Sequence, residues 1–487
     1  MKSALLAFTL LALMPSIALP SDANTGASLT WTSHDPVISR ARDLIGRGQL
    51  AEAESLLRST SSADPAAAAQ TIEIIRRIRL DYSLTPGQLL EKLKPQIADV
   101  QPADLDAWRD SGQLQFRTID GQTVYFRREP SNLFRFCPAA IARRIEKPKA
   151  ANQAILIEHL EQVIAEANRT HQAQVVPIKH QIRFTLTVPA NTPGAKAGST
   201  LRAWLPFPQE YRQQSDVTLI SAGPGKPMIA GNGFAHRTLY FEHRIIDPAQ
   251  PVAFEAVYAY TSRAYYPILD DARVQPLPAD VSTEYLAERL PHIRFSPTLK
   301  ETAAQIVGDE TNPLAKARKI FHWIDANIRY NAEEEYCIIP SFSEHGLTRR
   351  RGDCGIQSTL FITLCRASGV PARWQSGWQT IPGNSNMHDW TEIYVAPWGW
   401  LPCDPSYGLK RSDDPAVREF YFGHQDAWRM IVNLDYGHPL APPKLSLRSE
   451  PADFQRGEVE LDGKNLYFDQ FDYDFSFTQS AAGGGKL

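Results

Sequence analysis

Three residues whose types can do covalent chemistry lie within 51 residues of one another: Cys354, His388 and Asp404. They sit in the stretches R-R-G-D-C-G-I-Q-S-T-L-F-I-T-L-C-R-A-S-G-V-P-A-R, M-H-D-W-T-E-I-Y-V and G-W-L-P-C-D-P-S, in that order from Arg350 to Ser406. A thiolate is a strong nucleophile, an imidazole can take its proton, and a carboxylate can hold the imidazole in the useful tautomer. Such a set attacks an amide carbonyl and forms a thioester. Water then gives hydrolysis; an amine gives transfer.

Elements predicted from the surrounding pattern can bring the three together. A helix is expected from Cys354 to Ser368, stopped by Gly369 at C′ and by Pro371, with Phe361 and Leu364 on its buried face. Cys354 then sits in a first turn whose unpaired N–H groups and dipole would lower its pKa and stabilise an oxyanion. Ala372 to Gln379 reads as a strand and Ile381–Met387 as a loop, and His388 opens a second strand that runs to Val395. Pro397-Trp398-Gly399 turns the chain, and Trp400 to Asp404 returns antiparallel. That places Asp404 opposite a residue within about three of His388.

These segments read as G-x-C, L-F-x-x-L-C-R-A-x-G-V-P-A-R, H-x-W-x-E-x-Y and G-W-x-x-x-D-P. In that form the chain resembles the transglutaminase-like superfamily, a papain-fold group, over roughly residues 285–410. The resemblance implies that Cys354 is the nucleophile, His388 the base and Asp404 the acid that orients it. It places Gln357, Arg366, Arg373, Trp390, Glu392 and Trp400 in supporting positions. Some members of the family use an upstream aromatic residue as a second oxyanion donor, and Trp323 and Tyr330 are the candidates, although helix packing explains Trp323 equally well. The family also contains a peptide N-glycanase, so a glycan-bearing amide joins water and amine chemistry among the outcomes. The other reading is a scaffold or binding protein with an inactive domain of this type, and the complete Cys-His-Asp set argues against it. Trp378, Trp398 and Trp400 suit an aromatic cleft and a packed core equally.

No cofactor or metal is expected. There is no C-x-x-C pair, H-E-x-x-H or phosphate-binding glycine loop. Glu333-Glu334-Glu335 does not resemble a calcium loop and reads as a solvated charge run. A net charge of −3 over 487 residues gives no reason to expect nucleic acid as a partner. The expected partner is a protein or peptide substrate.

The chain is too long for one core, and about three domains are expected. The fold class is α+β: a papain-like transglutaminase core preceded by a β-sandwich domain and an N-terminal helical, winged-helix-like region. Residues 1–22 read as a signal peptide, with Lys2 before the apolar run Ala4 to Leu13 and small residues at Ser16 and Ala18. This implies a secreted or periplasmic protein, cleaved from its leader and without stable membrane insertion. Residues 35–150 read as helices followed by two short helices and a hairpin at Asp120-Gly121. The hairpin's strands are Leu114–Arg117 and Val124–Phe126. That outline suits a packing or partner module better than a DNA reader, since it lacks a strongly basic helix. Residues 175–275 read as a β-sandwich, 281–440 as the catalytic domain and 455–478 as a separate C-terminal hairpin turning at Asp462-Gly463. Five cysteines are an odd number, so at least one thiol stays free. Cys137, Cys365 and Cys403 read as inert core residues, with Cys337 open to pairing.

Overall fold

The computed structural model describes residues 35–146 and 153–481. The expected signal peptide, 1–22, lies outside the described residues. Among these residues no helix is long and apolar enough to cross a membrane.

The N-terminal region opens with helices Pro36–Gly46, Leu50–Ser59 and Pro65–Asp81. Asp35 caps the first by accepting from the Val37 and Ile38 N–H groups, and Asp64 caps the third through Ala67. Their buried faces (Ile38, Leu44, Leu50, Leu57, Ile75, Ile78) form one core. Helices Pro86–Leu93 and Pro102–Asp110 follow, and then a hairpin of Phe116–Ile119 and Gln122–Tyr125. Asp120 and Gly121 both have positive φ, the conformation a two-residue turn of this kind requires. The first strand begins two residues later than the pattern suggests. Leu114 is buried, and Gln115 turns its side-chain amide onto Tyr82 and Glu334 while its carbonyl still accepts the Phe126 N–H at 3.1 Å.

Two antiparallel sheets face each other next. One orders Asp472–Ala481, Gln174–Val188, Val252–Tyr265 and Gln214–Gly223. The other orders Lys464–Leu466, Glu458–Leu461, Thr200–Pro206, Thr238–Arg244 and Met228–Ile229. Alternate residues of Gln174–Val188, namely Ile178, His180, Ile182, Phe184, Leu186 and Val188, point inward. The segment expected as a separate hairpin over 455–478 is woven into both sheets. Val459 pairs with Ala203 and Phe475 with Phe184. Alternation marks a half-buried strand but not its partner; here the C-terminal strands cover edges that would otherwise stand open.

The remaining unit packs helices Pro297–Val307, Pro313–Asn327 and Cys354–Ala367 with a four-stranded antiparallel sheet. The sheet orders Gly399–Cys403, Asn384–Val395, Ala372–Ile381 and Arg429–Asn433. Asn312 caps the Pro313–Asn327 helix, and its stripe of Leu314, Ala317, Phe321 and Ile324 is buried as the spacing requires. Ile393 and Val395 share a core with Ile356, Leu360, Phe361 and Leu364 of the Cys354 helix. The expected loop over Ile381–Met387 is instead a tight turn at Pro382-Gly383, and Asn384 already pairs with Ile381. His388 is therefore inside its strand and does not open it. Asn384, Ser385 and Asn386 are exposed, so the apolar alternation that signals a strand is missing there. Trp378, Met430 and Val432 of this sheet enter the sandwich core, so the two units share buried surface. All five cysteines are free and buried, Cys337 included.

Gly377 lies where the Ala372–Ile381 strand meets Arg429–Asn433, and any Cβ there would overlap the Met430 carbonyl oxygen. Gly377→Ala is expected to lower stability by about 2–3 kcal/mol through backbone displacement, read as a shift in the urea midpoint.

Candidate active site

Cys354 is the first residue of a helix buried on every side from Cys354 to Arg366. Asp353 caps it, accepting from the Ile356 N–H at 3.2 Å. Gly355 has no alternative residue: a Cβ would overlap the Tyr336 hydroxyl, which lies on the helix start and accepts from the Gly355 N–H at 3.1 Å. Tyr336 came from no sequence signal. The expected oxyanion donors are thus partly committed, Gly355 to Tyr336 and Ile356 to Asp353.

His388 and Asp404 are brought together. Cys403 pairs with Thr391 across the hairpin, which carries Asp404 alongside the His388 end of the strand. His388 Nε2 meets Asp404 Oδ2 at 2.6 Å, with both side chains buried. Asp404 Oδ1 accepts from Ser406 Oγ and from the Tyr407 N–H, each at 3.0 Å. Arg429 forms an ion pair with the same carboxylate at 3.0 Å and a second with Asp426 at 3.0 Å. The imidazole and the guanidinium together hold the Asp404 carboxyl well below the usual carboxylate range against the effect of burial. Burial lowers the His388 pKa, with Asp404 opposing it, so the ring rests neutral. Since Nε2 faces Asp404, Nδ1 is the nitrogen left to face a thiol.

Cys354 is not bonded to His388. Its thiol donates to Asp389 Oδ2 at 3.2 Å. Successive residues of a strand face opposite ways: Asp389, Ile393 and Val395 face the helix, while His388 and Trp390 face Arg429. Tyr407 links the two sides, with its ring edge-on to His388 at 4.9 Å and its hydroxyl within electrostatic reach of Cys354. The expected lowering of the Cys354 pKa is reversed. Burial, then the carboxyls of Asp389 and Asp353, push the thiol up. A helix dipole is worth about 1 kcal/mol, less than desolvation in a site this enclosed.

A cavity of about 180 Å³ opens beside Cys354. Tyr330 lines it and Trp323 does not. Trp323 instead stacks under Arg350 at 4.8 Å. The cavity wall is acidic, with Glu333, Glu335, Asp353, Asp389, Glu450 and Asp453 facing Arg128 and Arg456. The run Glu333-Glu334-Glu335 is therefore not a solvated face. Glu333 meets His345 at 3.0 Å, Glu334 accepts from Gln115 at 2.8 Å, and Glu335 pairs with Arg127 at 2.6 Å and with Arg456.

The supporting positions hold the frame. Gln357 donates to the Gly352 carbonyl at 2.9 Å. Arg366 closes the far end of its helix onto the Ala372, Glu284 and Ala287 carbonyls. Arg373 pairs with buried Glu392 at 2.8 Å and stacks on Trp400. Trp390 Nε1 donates to Gln375 at 2.7 Å. Trp378 is core, Trp398 donates to the Ile268 carbonyl, and neither they nor Trp400 line the cavity. Sequence reasoning missed Asp389, Tyr336, Arg429, Asp453 and Gln455. Asp389 was visible as the variable position of H-x-W; the others are brought in only by the fold.

Residues 300–405 match the model of the transglutaminase-like superfamily, so the chain carries a domain of that type. Over 292 residues the chain is 23% identical to an uncharacterized protein of Haemophilus influenzae, a match spanning 51% of this chain and 77% of that one. It is similar to the solved structure of a candidate cysteine protease from Cytophaga hutchinsonii. The identity is 14% and the TM-score 0.41, over 63% of this chain and 92% of that one. It is also similar to the periplasmic domain of TgpA from Pseudomonas aeruginosa, with 15% identity, a TM-score of 0.25, and coverage of 50% and 90%.

Burial pushes Asp353 up to about 7, Glu129 up to about 7 and Glu450 up to about 8. Unfolded carboxyls titrate near about 4, so these groups hold extra protons only in the folded state. Their stabilisation is complete below about pH 4 and is lost as pH rises through about 7 to 8. The Asp353→Asn variant keeps a competent helix cap and is expected to show a shallower fall in urea-derived stability between about pH 5 and 8.

Proposed function

We propose that this chain is a cysteine acyl-transfer enzyme of the transglutaminase-like type, exported by its leader, that attacks amide bonds of a protein or peptide. Cys354 supplies the nucleophile, His388 the base and Asp404 the carboxylate that orients it. The observation that carries this reading is the buried 2.6 Å contact between His388 Nε2 and Asp404 Oδ2, set beside a helix that begins at Cys354.

In the forward reaction the thiol leaves Asp389, turns to the His388 side of the strand and gives its proton to Nδ1 of His388, and the sulfur attacks the amide carbon. Asp404 steadies the imidazolium that forms, and Arg429 keeps Asp404 ionised while it does so. Tyr330, which lines the cavity, is the candidate second donor to the oxyanion. His388 then returns the proton to the leaving amine, and the thioester passes its acyl group to water or to a second amine.

Ammonia release from a glutamine peptide, followed with and without an added primary amine, tests the reading and separates hydrolysis from transfer. Cys354→Ala and His388→Ala are each expected to lower the rate by about 10³-fold or more with the fold intact. Asp404→Asn is expected to fall by about 10²- to 10⁴-fold. Full activity in the Cys354→Ala variant would remove the proposal.

A further inference from the structure

We infer that the N-terminal region carries a substrate subsite beside the catalytic cavity, a cleft of arginines that takes a carboxylate-bearing segment of the peptide whose amide bond reaches Cys354. The inference rests on the chain being an amide-attacking enzyme, and it names the substrate class as an acidic peptide. It starts from the helix Glu129–Phe136. Arg128 at its N-cap, Ser131 in its first turn and Arg135 in its last recur at the spacing of one helix face. Leu133 and Phe136 turn away from that face and are buried.

The face opens on a cavity of about 620 Å³, lined by Arg127, Arg128, Arg135 and Arg144 together with Phe134 and Gln96. Ligand sites commonly occupy about 300–1,000 Å³. No acid lines this cavity, whereas acids make up much of the wall beside Cys354. Arg127 is committed to Asp81 and Glu335; among the described residues the other three arginines form no ion pair. Two of them rest on rings, Arg144 over Phe134 at 4.4 Å and Arg135 over Tyr330 at 5.2 Å. Three unpaired cations around one cavity, in a chain of net charge −3, make a place for an anion. A guanidinium fork matches the paired oxygens of a carboxylate or a phosphate group.

The cleft adjoins the catalytic site. Arg128 lines both cavities, and Tyr330, under Arg135, lines the one beside Cys354. The helix is clamped to the segment that carries Tyr330. Asn132 Nδ2 donates to the Ala332 carbonyl at 2.8 Å, its Oδ1 accepts the Ala332 N–H at 2.9 Å, and Arg329 donates to the Arg135 carbonyl at 3.0 Å. An amide at Cys354 and an anion among the arginines can therefore belong to one ligand. A carboxylate is the anion that an unmodified peptide supplies, from aspartate, glutamate or its C-terminus.

The experiment is calorimetric titration of the full-length Cys354→Ala protein, which binds without turning over, with three peptides. Each holds one glutamine, flanked on both sides by glutamate, by serine or by phosphoserine. The glutamate peptide is expected to bind about tenfold more tightly than the serine peptide, with a gap that narrows as salt rises. Arg135→Gln combined with Arg144→Gln should remove most of that gap. The same charge change at Arg40 and Arg47, which are exposed and outside this cavity, should leave it in place. Arg128→Gln alone replaces the double variant if the latter fails to fold. Equal affinity for the glutamate and serine peptides, a gap that survives the cleft variants, or an equal loss at Arg40 and Arg47 overturns the inference. So does a phosphoserine peptide bound more than about tenfold more tightly than the glutamate one, which would assign the cleft to phosphate. The titration needs no turnover, so a failure of the acyl-transfer assay leaves it readable.

Discussion

A helix buried on every side must bring its own polar ends indoors. The helix that begins at Cys354 is enclosed from its first residue to Arg366, and each unpaired N–H or carbonyl at its ends would cost about 1–3 kcal/mol without a partner. Much of the architecture answers that demand. Asp353 and Tyr336 satisfy the start, and the Ser368, Gly369 and Val370 N–H groups take the Leu364, Cys365 and Arg366 carbonyls at the finish. The same enclosure decides the chemistry of Cys354. It offers the sulfur acids as neighbours and no cation, so desolvation outweighs the dipole that would otherwise favour a thiolate.

The chamber beside that helix is built from three distant parts of the chain. The run Glu333-Glu334-Glu335 reaches the N-terminal region through Tyr82, Gln115 and Arg127 and the C-terminal segment through Arg456. Buried ion pairs of this kind add little net stability over apolar packing, but losing one partner leaves a stranded charge. They therefore fix the relative placement of the parts more than they hold the fold together. The C-terminal strands add a second tie by completing both sheets of the sandwich.

Across the sheet the opposite electrostatic choice is made. Arg429 is buried between Asp404 and Asp426 and lies over Trp390, Tyr407 and Tyr421. One cation keeps Asp404 ionised, and Asp404 in turn holds His388. Asp353 and Asp389, both bonded to Tyr336, lie on the helix side of the Asn384–Val395 strand, and Asp404, paired with Arg429, lies on the other. A strand whose side chains alternate can keep two such environments one residue apart, at His388 and Asp389.

The chemistry-bearing residues were legible in the sequence because their segments are local. The Cys354 helix, the hairpin that follows and the Asp404 return are set by glycine and proline stops, apolar spacing and a tight turn. That much determines that a thiol, an imidazole and a carboxylate lie on adjoining elements. It also determines the Pro313–Asn327 helix and the Asp120-Gly121 and Asp462-Gly463 turns. What only the tertiary structure decided are the contacts between residues far apart in sequence. Glu333 to Glu335 carry the composition of a surface, yet the first two are buried and Glu335 nearly so, because the chain brings arginines and a tyrosine from elsewhere to meet them. The C-terminal hairpin pairs with strands more than 250 residues away, and alternation cannot name a partner. The state of Cys354 was likewise out of reach. A pKa depends on every charge and dipole around a group, and here those come from Tyr336, Asp389 and the enclosing fold.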